Sequence, residues 1–122
     1  MHKVSGIGGF FFRAKDASAL DLWYRDNLGI DLVPQAEGDE SWRQEAGETA
    51  FTSMPGAIDQ FNAPDKAWAI NFRVPDLDGM VEQLRAAGTT VEVDPNDYGF
   101  GRFATLADPE GNPIQLWQPA DK

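Results

Sequence analysis

The sequence predicts an α+β domain built from two βαβββ modules. Their strands join into an open, curved, barrel-like mixed sheet with the helices outside. Three observations carry that expectation. The chain repeats itself at an offset of sixty residues, where Phe12 matches Phe72, Arg13 matches Arg73, Asp16 matches Asp76 and Arg25 matches Arg85. Apolar residues fall at helical spacing in both copies, at Leu20, Trp23, Tyr24 and Leu28, then at Leu77, Met80, Val81 and Leu84. Short alternating runs bounded by glycine, proline and aspartate follow each helical stretch.

In order along the chain, residues 7–14 read as the first strand. Asp16 then opens a helix, because its carboxylate can accept hydrogen bonds from the orphan amides of the first turn. Gly29 is a natural stop. Strands are expected at about 30–34, 41–46 and 49–54, the last two joined across "AGET". "PGAIDQFNAPDK", residues 55–66, has the proline and polar content of a linker, which sets the modules at 1–54 and 67–122. The second copy places a strand at 68–74, a helix opened by Asp76 and stopped by Gly88, and strands at 89–93, 101–107 and 113–118. The last two are joined across "DPEGN". A repeat of this length is a duplicated half-domain rather than a solenoid unit.

Pairing Leu106 with Ile114 across that last turn sorts the side chains of the hairpin. Ala104, Leu106, Ile114 and Leu116 share an apolar face suited to packing under helices. Phe103, Thr105, Gln115 and Trp117 share a mixed face of the kind that lines a ligand groove. The same parity adds Phe11 and Arg13, Asn71 and Arg73, and Thr49, Phe51 and Ser53 to the groove. It turns Phe10, Phe12 and Phe72 toward the helices. Arg13 and Arg73 stand at equivalent positions; they are either an anion clamp or partners of surface acids. "VDPNDYGFG", with Tyr98 and Phe100, is either a lid over the groove or a connection.

The bulk properties exclude several roles. With 122 residues the chain suits one domain, and its 42% apolar and 25% charged content is ordinary for a globular protein. A net charge of −10 opposes nucleic-acid binding and gives weak support to a cationic ligand. No apolar run reaches the ~20 residues of a membrane span, and no secretory h-region is present, so a cytoplasmic setting is expected. The absence of cysteine removes disulfides, thiolate chemistry and cysteine-bound metal. The single histidine, His2, sits at a terminus, no serine has a histidine to activate it, and Glu45 is the carboxylate nearest the groove. No catalytic residue is assigned.

The stretches "GIGGFFFRAKDASALDLWYRDNLGIDL", "NFRVPDLDGMVEQLRAAG" and "GRFATLADPEGNPIQLWQP" together resemble the vicinal-oxygen-chelate superfamily, which includes glyoxalase I, extradiol dioxygenases and bleomycin-resistance proteins. The resemblance implies a metal centre with two ligands from each module. One lies on each first strand, seven residues before the helix-starting aspartate. The other lies on each last strand, at the end of "DPxGNxxE". Those positions hold Gly9, Phe51, Ala69 and Gln115 here, and three of the four have no ligating atom. A cleft metal generally needs at least three protein ligands. The expectation is therefore a protein with no cofactor, one that binds a small organic molecule in an aromatic-lined groove as bleomycin-resistance proteins do. Resemblance also implies a homodimer. The alternatives are a glyoxalase-like or dioxygenase-like enzyme, or a vestigial module of a larger complex.

Overall fold

The computed structural model describes residues 1–55, 63 and 65–121. Its elements are helix α1 (Ala17–Leu28), strand β1 (Ile70–Arg73), helix α2 (Leu77–Ala86), and strands β2 (Glu92–Val93), β3 (Gly101–Ala107) and β4 (Pro113–Pro119). The four strands form one mixed, open sheet in the order β1-β4-β3-β2. The β1–β4 pair is parallel, and the other two are antiparallel.

Both helices start and stop on the residues expected. Asp16 accepts from the Ala19 amide at 3.1 Å and Asp76 from the Gly79 amide at 3.0 Å. Each carboxylate thus satisfies one of the donors that a first turn leaves open. Gly29 and Gly88 follow the helices with φ of 73° and 92°, the left-handed conformation that costs glycine nothing.

Leu106 pairs with Ile114, Thr105 with Gln115 and Phe103 with Trp117, the register that the turn and the alternation imply. One sheet face is consequently dry. Ile114, Leu116, Ala104 and Leu106 join Leu77, Val81 and Leu84 of α2, and Leu20 and Tyr24 of α1, in a single buried core. Phe12 and Phe72 both meet the Tyr24 ring edge-on, and Phe10 packs against Phe12 and Trp68. Gln118, at the end of β4, accepts from the Leu77 amide at 2.7 Å and ties the start of α2 to the sheet.

The "DPEGN" turn does more than reverse the chain. Asp108 is only 4% exposed. Its Oδ1 accepts from the amides of Glu110 (2.8 Å) and Asn112 (3.0 Å). Its Oδ2 accepts from Asn112 Nδ2 (2.8 Å) and from the Tyr24 hydroxyl (2.6 Å). Glu110 then reaches the other end of α1, where its two oxygens accept from the amides of Lys15 (2.7 Å) and Asp16 (3.1 Å). One turn of the final hairpin therefore holds α1 at its entry and at mid-length. Burial, with the adjacent Asp108 carboxylate, pushes the Tyr24 hydroxyl well above the ordinary tyrosine range.

The first half departs from expectation. Segments 7–14, 30–34, 41–46 and 49–54 are described but carry no strand ladder. An extended, alternating segment becomes a strand only where a neighbouring strand supplies a ladder of hydrogen-bond partners, and among the described residues none of these segments is paired in a ladder. The observed sheet is thus four-stranded and open, without barrel-like closure. β2 is shorter than the expected 89–93, because only Glu92 and Val93 find partners on β3. Most of the expected linker, residues 56–62 and 64, lies outside the described residues.

Leu84 is fully buried between α2 and the sheet, so Leu84→Ala should cost about 2–5 kcal/mol, read as a lowered urea midpoint. Tyr24→Phe should cost about 1–3 kcal/mol, because it removes a donor from a buried carboxylate. The raised Tyr24 hydroxyl also has a sign in pH. Its stabilisation is complete below the ordinary tyrosine value of about pH 10 and is lost as pH rises beyond it. The thermal midpoint should therefore fall more steeply above that pH in the wild type than in Tyr24→Phe.

Candidate functional site

Among the described residues no helix covers the face of the sheet opposite the core, and register alone assembles it. Two transverse rows of side chains cross the four strands. The first runs Asn71, Gln115, Thr105, Glu92, and the second runs Arg73, Trp117, Phe103. Asp94 extends the second row, since its amide donates to the Phe103 carbonyl at 2.9 Å one residue beyond β2.

The first row is polar. Asn71 Nδ2 donates to Gln115 Oε1 at 2.7 Å, so the two amides are joined and their orientations are fixed relative to each other. The second row is aromatic at its centre. The Phe103 and Trp117 rings lie 6.3 Å apart with planes within 7°. The Trp117 indole N–H donates to the Phe100 carbonyl at 3.0 Å, which fixes the ring against the loop before β3. That approach requires Gly101, at φ of 142°, because a Cβ there would collide with Gln118 O and Trp117 Nε1.

The "VDPNDYGFG" loop packs onto this face. Tyr98 and Phe100 stack at 5.8 Å and meet Phe103 edge-on at 6.0 and 5.8 Å. The Tyr98 hydroxyl donates to Asp94 Oδ2 at 2.6 Å, and the Asn96 amide donates to Asp94 Oδ1 at 3.0 Å. The Tyr98 hydrogen bond, followed by that from the Asn96 backbone, holds the Asp94 carboxyl below its ordinary range. The same contact holds the tyrosine above its own.

Six of the residues expected in the groove meet on this face: Asn71, Arg73, Phe103, Thr105, Gln115 and Trp117. The five from the first half, Phe11, Arg13, Thr49, Phe51 and Ser53, are all exposed. Phe11 and Phe51 are 91% and 89% exposed. Arg73 turns to the backbone of the first half. It donates to the backbone carbonyls of Glu45 (2.8 Å) and Glu48 and fills the space a side chain at Gly47 would need. Parity over the expected strands left the groove without a carboxylate, yet Glu92 stands beside Thr105 and Asp94 beside Phe103. The alternation of Val91, Glu92, Val93 and Asp94 was the available signal.

The donor set at the four superfamily positions does not fit a divalent ion. Gly9 and Ala69 carry no donor, Phe51 offers only a ring, and Gln115 Oε1 is engaged by Asn71. Among the described residues no three histidine, aspartate or glutamate side chains converge. A surface depression lies elsewhere, between α2 and β2, lined by Asp78, Val81, Glu82, Arg85, Ala86 and Val93. Its arginine is already committed to the Val91 carbonyl at 2.8 Å. Among the described residues no helix is long and apolar enough to cross a membrane.

Known proteins resemble the chain over nearly its whole length. Residues 9–117 match the model of the glyoxalase-like domain. Over 77 residues, 62% of the chain, it is 34% identical to the glyoxylase-named protein CFP32 of Mycobacterium bovis, and it spans 27% of that relative's length. TnmS3, an antibiotic binding protein from Streptomyces sp. CB03234, superposes with a TM-score of 0.64 at 24% identity over 98% of this chain and 100% of that one. The fosfomycin resistance protein FosX of Listeria monocytogenes superposes with a TM-score of 0.59 at 13% identity over 97% and 94%. At these identities the structural likenesses speak for the fold alone. With the duplicated capping aspartates, the "DPEGN" hairpin and the open mixed sheet, the family match shows that the chain belongs to the glyoxalase-like domain family of the vicinal-oxygen-chelate superfamily.

Proposed function

We propose that this chain is a metal-independent binding protein that holds a small organic molecule on the open face of its sheet. One observation carries the proposal. A half-buried pair of stacked rings, Phe103 and Trp117, lies beside a joined amide pair, Asn71 and Gln115. Rings of that kind supply stacking area, and fixed amides supply orientation. The antibiotic-binding role of TnmS3 and the bleomycin-resistance members of the superfamily lend the proposal support. A homodimer in the cytoplasm is the proposed working form. The dimer's support is the number of large apolar side chains exposed in the first half, among them Val4, Phe11, Val33 and Phe51.

A thermal-shift screen against antibiotics and aromatic metabolites tests the binding role, since a ligand of the folded state raises the midpoint. Stabilisation by at least one compound is expected, and Trp117→Leu should remove it. Calorimetric titration with zinc, nickel and ferrous iron should show no tight stoichiometric binding. Tight binding of any of them would favour a glyoxalase-like or dioxygenase-like enzyme instead.

Gln115→Glu provides a sharper check. It restores the superfamily's carboxylate at one position while the other three still lack ligands, so metal affinity should stay negligible. A dissociation constant in the micromolar range would overturn the metal-free assignment. Light scattering should give twice the monomer mass, and a monomer at high concentration would remove the dimer from the proposal.

A further inference from the structure

The duplication of the chain is matched by a reciprocal contact between its halves. In each half, the residues leading to the capping aspartate meet the hairpin turn of the other half. Lys15 and Asp16 donate their amides to Glu110 of "DPEGN" at 2.7 and 3.1 Å. Arg73, three residues before the capping Asp76, donates to the carbonyls of Glu45 (2.8 Å) and Glu48, which flank Gly47 of "AGET". The two contacts are chemically reversed. At Glu110 the turn supplies the side chain and the partner is backbone; at Arg73 the strand supplies the side chain and the turn is the backbone.

We propose that Arg73 is a latch: its guanidinium, seated on the turn at Gly47, holds residues 41–54 at the β1 edge and makes that segment a wall of the open face. Arg73 stands in the open-face row with Trp117 and Phe103, so the turn it grips lies on that side of the sheet. The use of such a wall rests on the binding role given above. The latch itself needs no ligand.

The first half gives this contact its weight. Residues 33–55 are exposed at every position and carry no strand ladder, so packing does not place them. The hydrogen bonds of Gln35, Ala36, Arg43 and Thr52 reach no further than four residues, which bends the stretch without placing it. The two bonds of Arg73 instead span 28 and 25 residues and join the stretch to β1. A guanidinium is a planar fork of donors and serves two carbonyls at once, which a lysine ammonium on its flexible stem does not match. Gly47 completes the seat. It is not one of the glycines with positive φ, so backbone freedom does not explain it. Space does: a Cβ there would collide with the Arg73 guanidinium.

The carbonyls that Arg73 grips belong to the peptide bonds that a glutamate-specific endoproteinase cuts. Initial cleavage rates after Glu45 and Glu48, followed by mass spectrometry on the full chain, therefore report the latch. Arg73→Met should raise them about fivefold, the scale of losing bonds from a charged donor at a partly exposed site. Cleavage after Glu37 and Glu40, in the same exposed stretch but outside the seat, should stay unchanged. Arg73→Lys should fall between. Gly47→Ala should also raise cleavage after Glu45 and Glu48, yet add nothing in the Arg73→Met background, since neighbours that share one contact are not additive.

Placement of the wall has its own readout. The chain has no cysteine, so Thr49→Cys carries a nitroxide at a single point. The label should broaden the indole N–H resonance of Trp117, the β4 neighbour of Arg73, and Arg73→Met should remove most of that broadening.

Unchanged cleavage after Glu45 and Glu48 in Arg73→Met would overturn the latch. So would an equal rise after Glu37 and Glu40, which marks general loosening, or full additivity with Gly47→Ala. Broadening that persists without Arg73, or is missing with it, would overturn the wall. Each of these outcomes leaves the binding role standing, and an empty ligand screen leaves the latch standing.

Discussion

The buried carboxylate of Asp108 is the constraint on which the architecture depends. It accepts four hydrogen bonds, three from its own turn and one from Tyr24 of α1. A carboxylate so enclosed is costly unless its lone pairs are met, and the turn meets them almost alone. The fourth bond makes the turn a structural joint, since Tyr24 lies 84 residues away. Glu110 adds a second grip on the entry of α1. With α1 held there, one sheet face is covered and the other is left open.

That division of faces explains why the site is built mainly from the second half. Alternation sends Ile114 and Leu116 into the core and Gln115 and Trp117 out of it, so a register fixed by packing also aligns Gln115 with Asn71 and Trp117 with Phe103. Gly101 and Trp117 show the two requirements meeting. The glycine has no side chain because the indole and the Gln118 carbonyl occupy that space, and the indole in turn fixes the aromatic loop.

Much of this was legible in the sequence, for physical reasons. Capping aspartates, stop glycines and the final hairpin are local signals, governed by residues a few positions apart, and all three are found in the structure. Six groove residues followed from the hairpin register and the parity of one neighbouring strand. The partners of Arg73 were not legible, because they are backbone carbonyls and leave no mark in residue types. Nor was the bond between Tyr24 and Asp108, which joins two ordinary residues far apart in the chain. The first-half strands were misjudged because β propensity describes a segment, whereas a ladder needs two. Glu92 and Asp94 lie on the strand at 89–93 and just beyond it, to which the parity of the hairpin was not extended.

The joined amides of Asn71 and Gln115 give the face a sense of direction. A carboxylate is symmetric: its two oxygens look the same to a ligand from either side. An amide has a donor end and an acceptor end. Because Asn71 Nδ2 donates to Gln115 Oε1, the Asn71 oxygen and the Gln115 nitrogen are left facing outward on neighbouring strands. The joined pair is therefore polar from strand to strand, with an acceptor left on one strand and a donor on the other, a pattern that no glutamate at 115 could make alone.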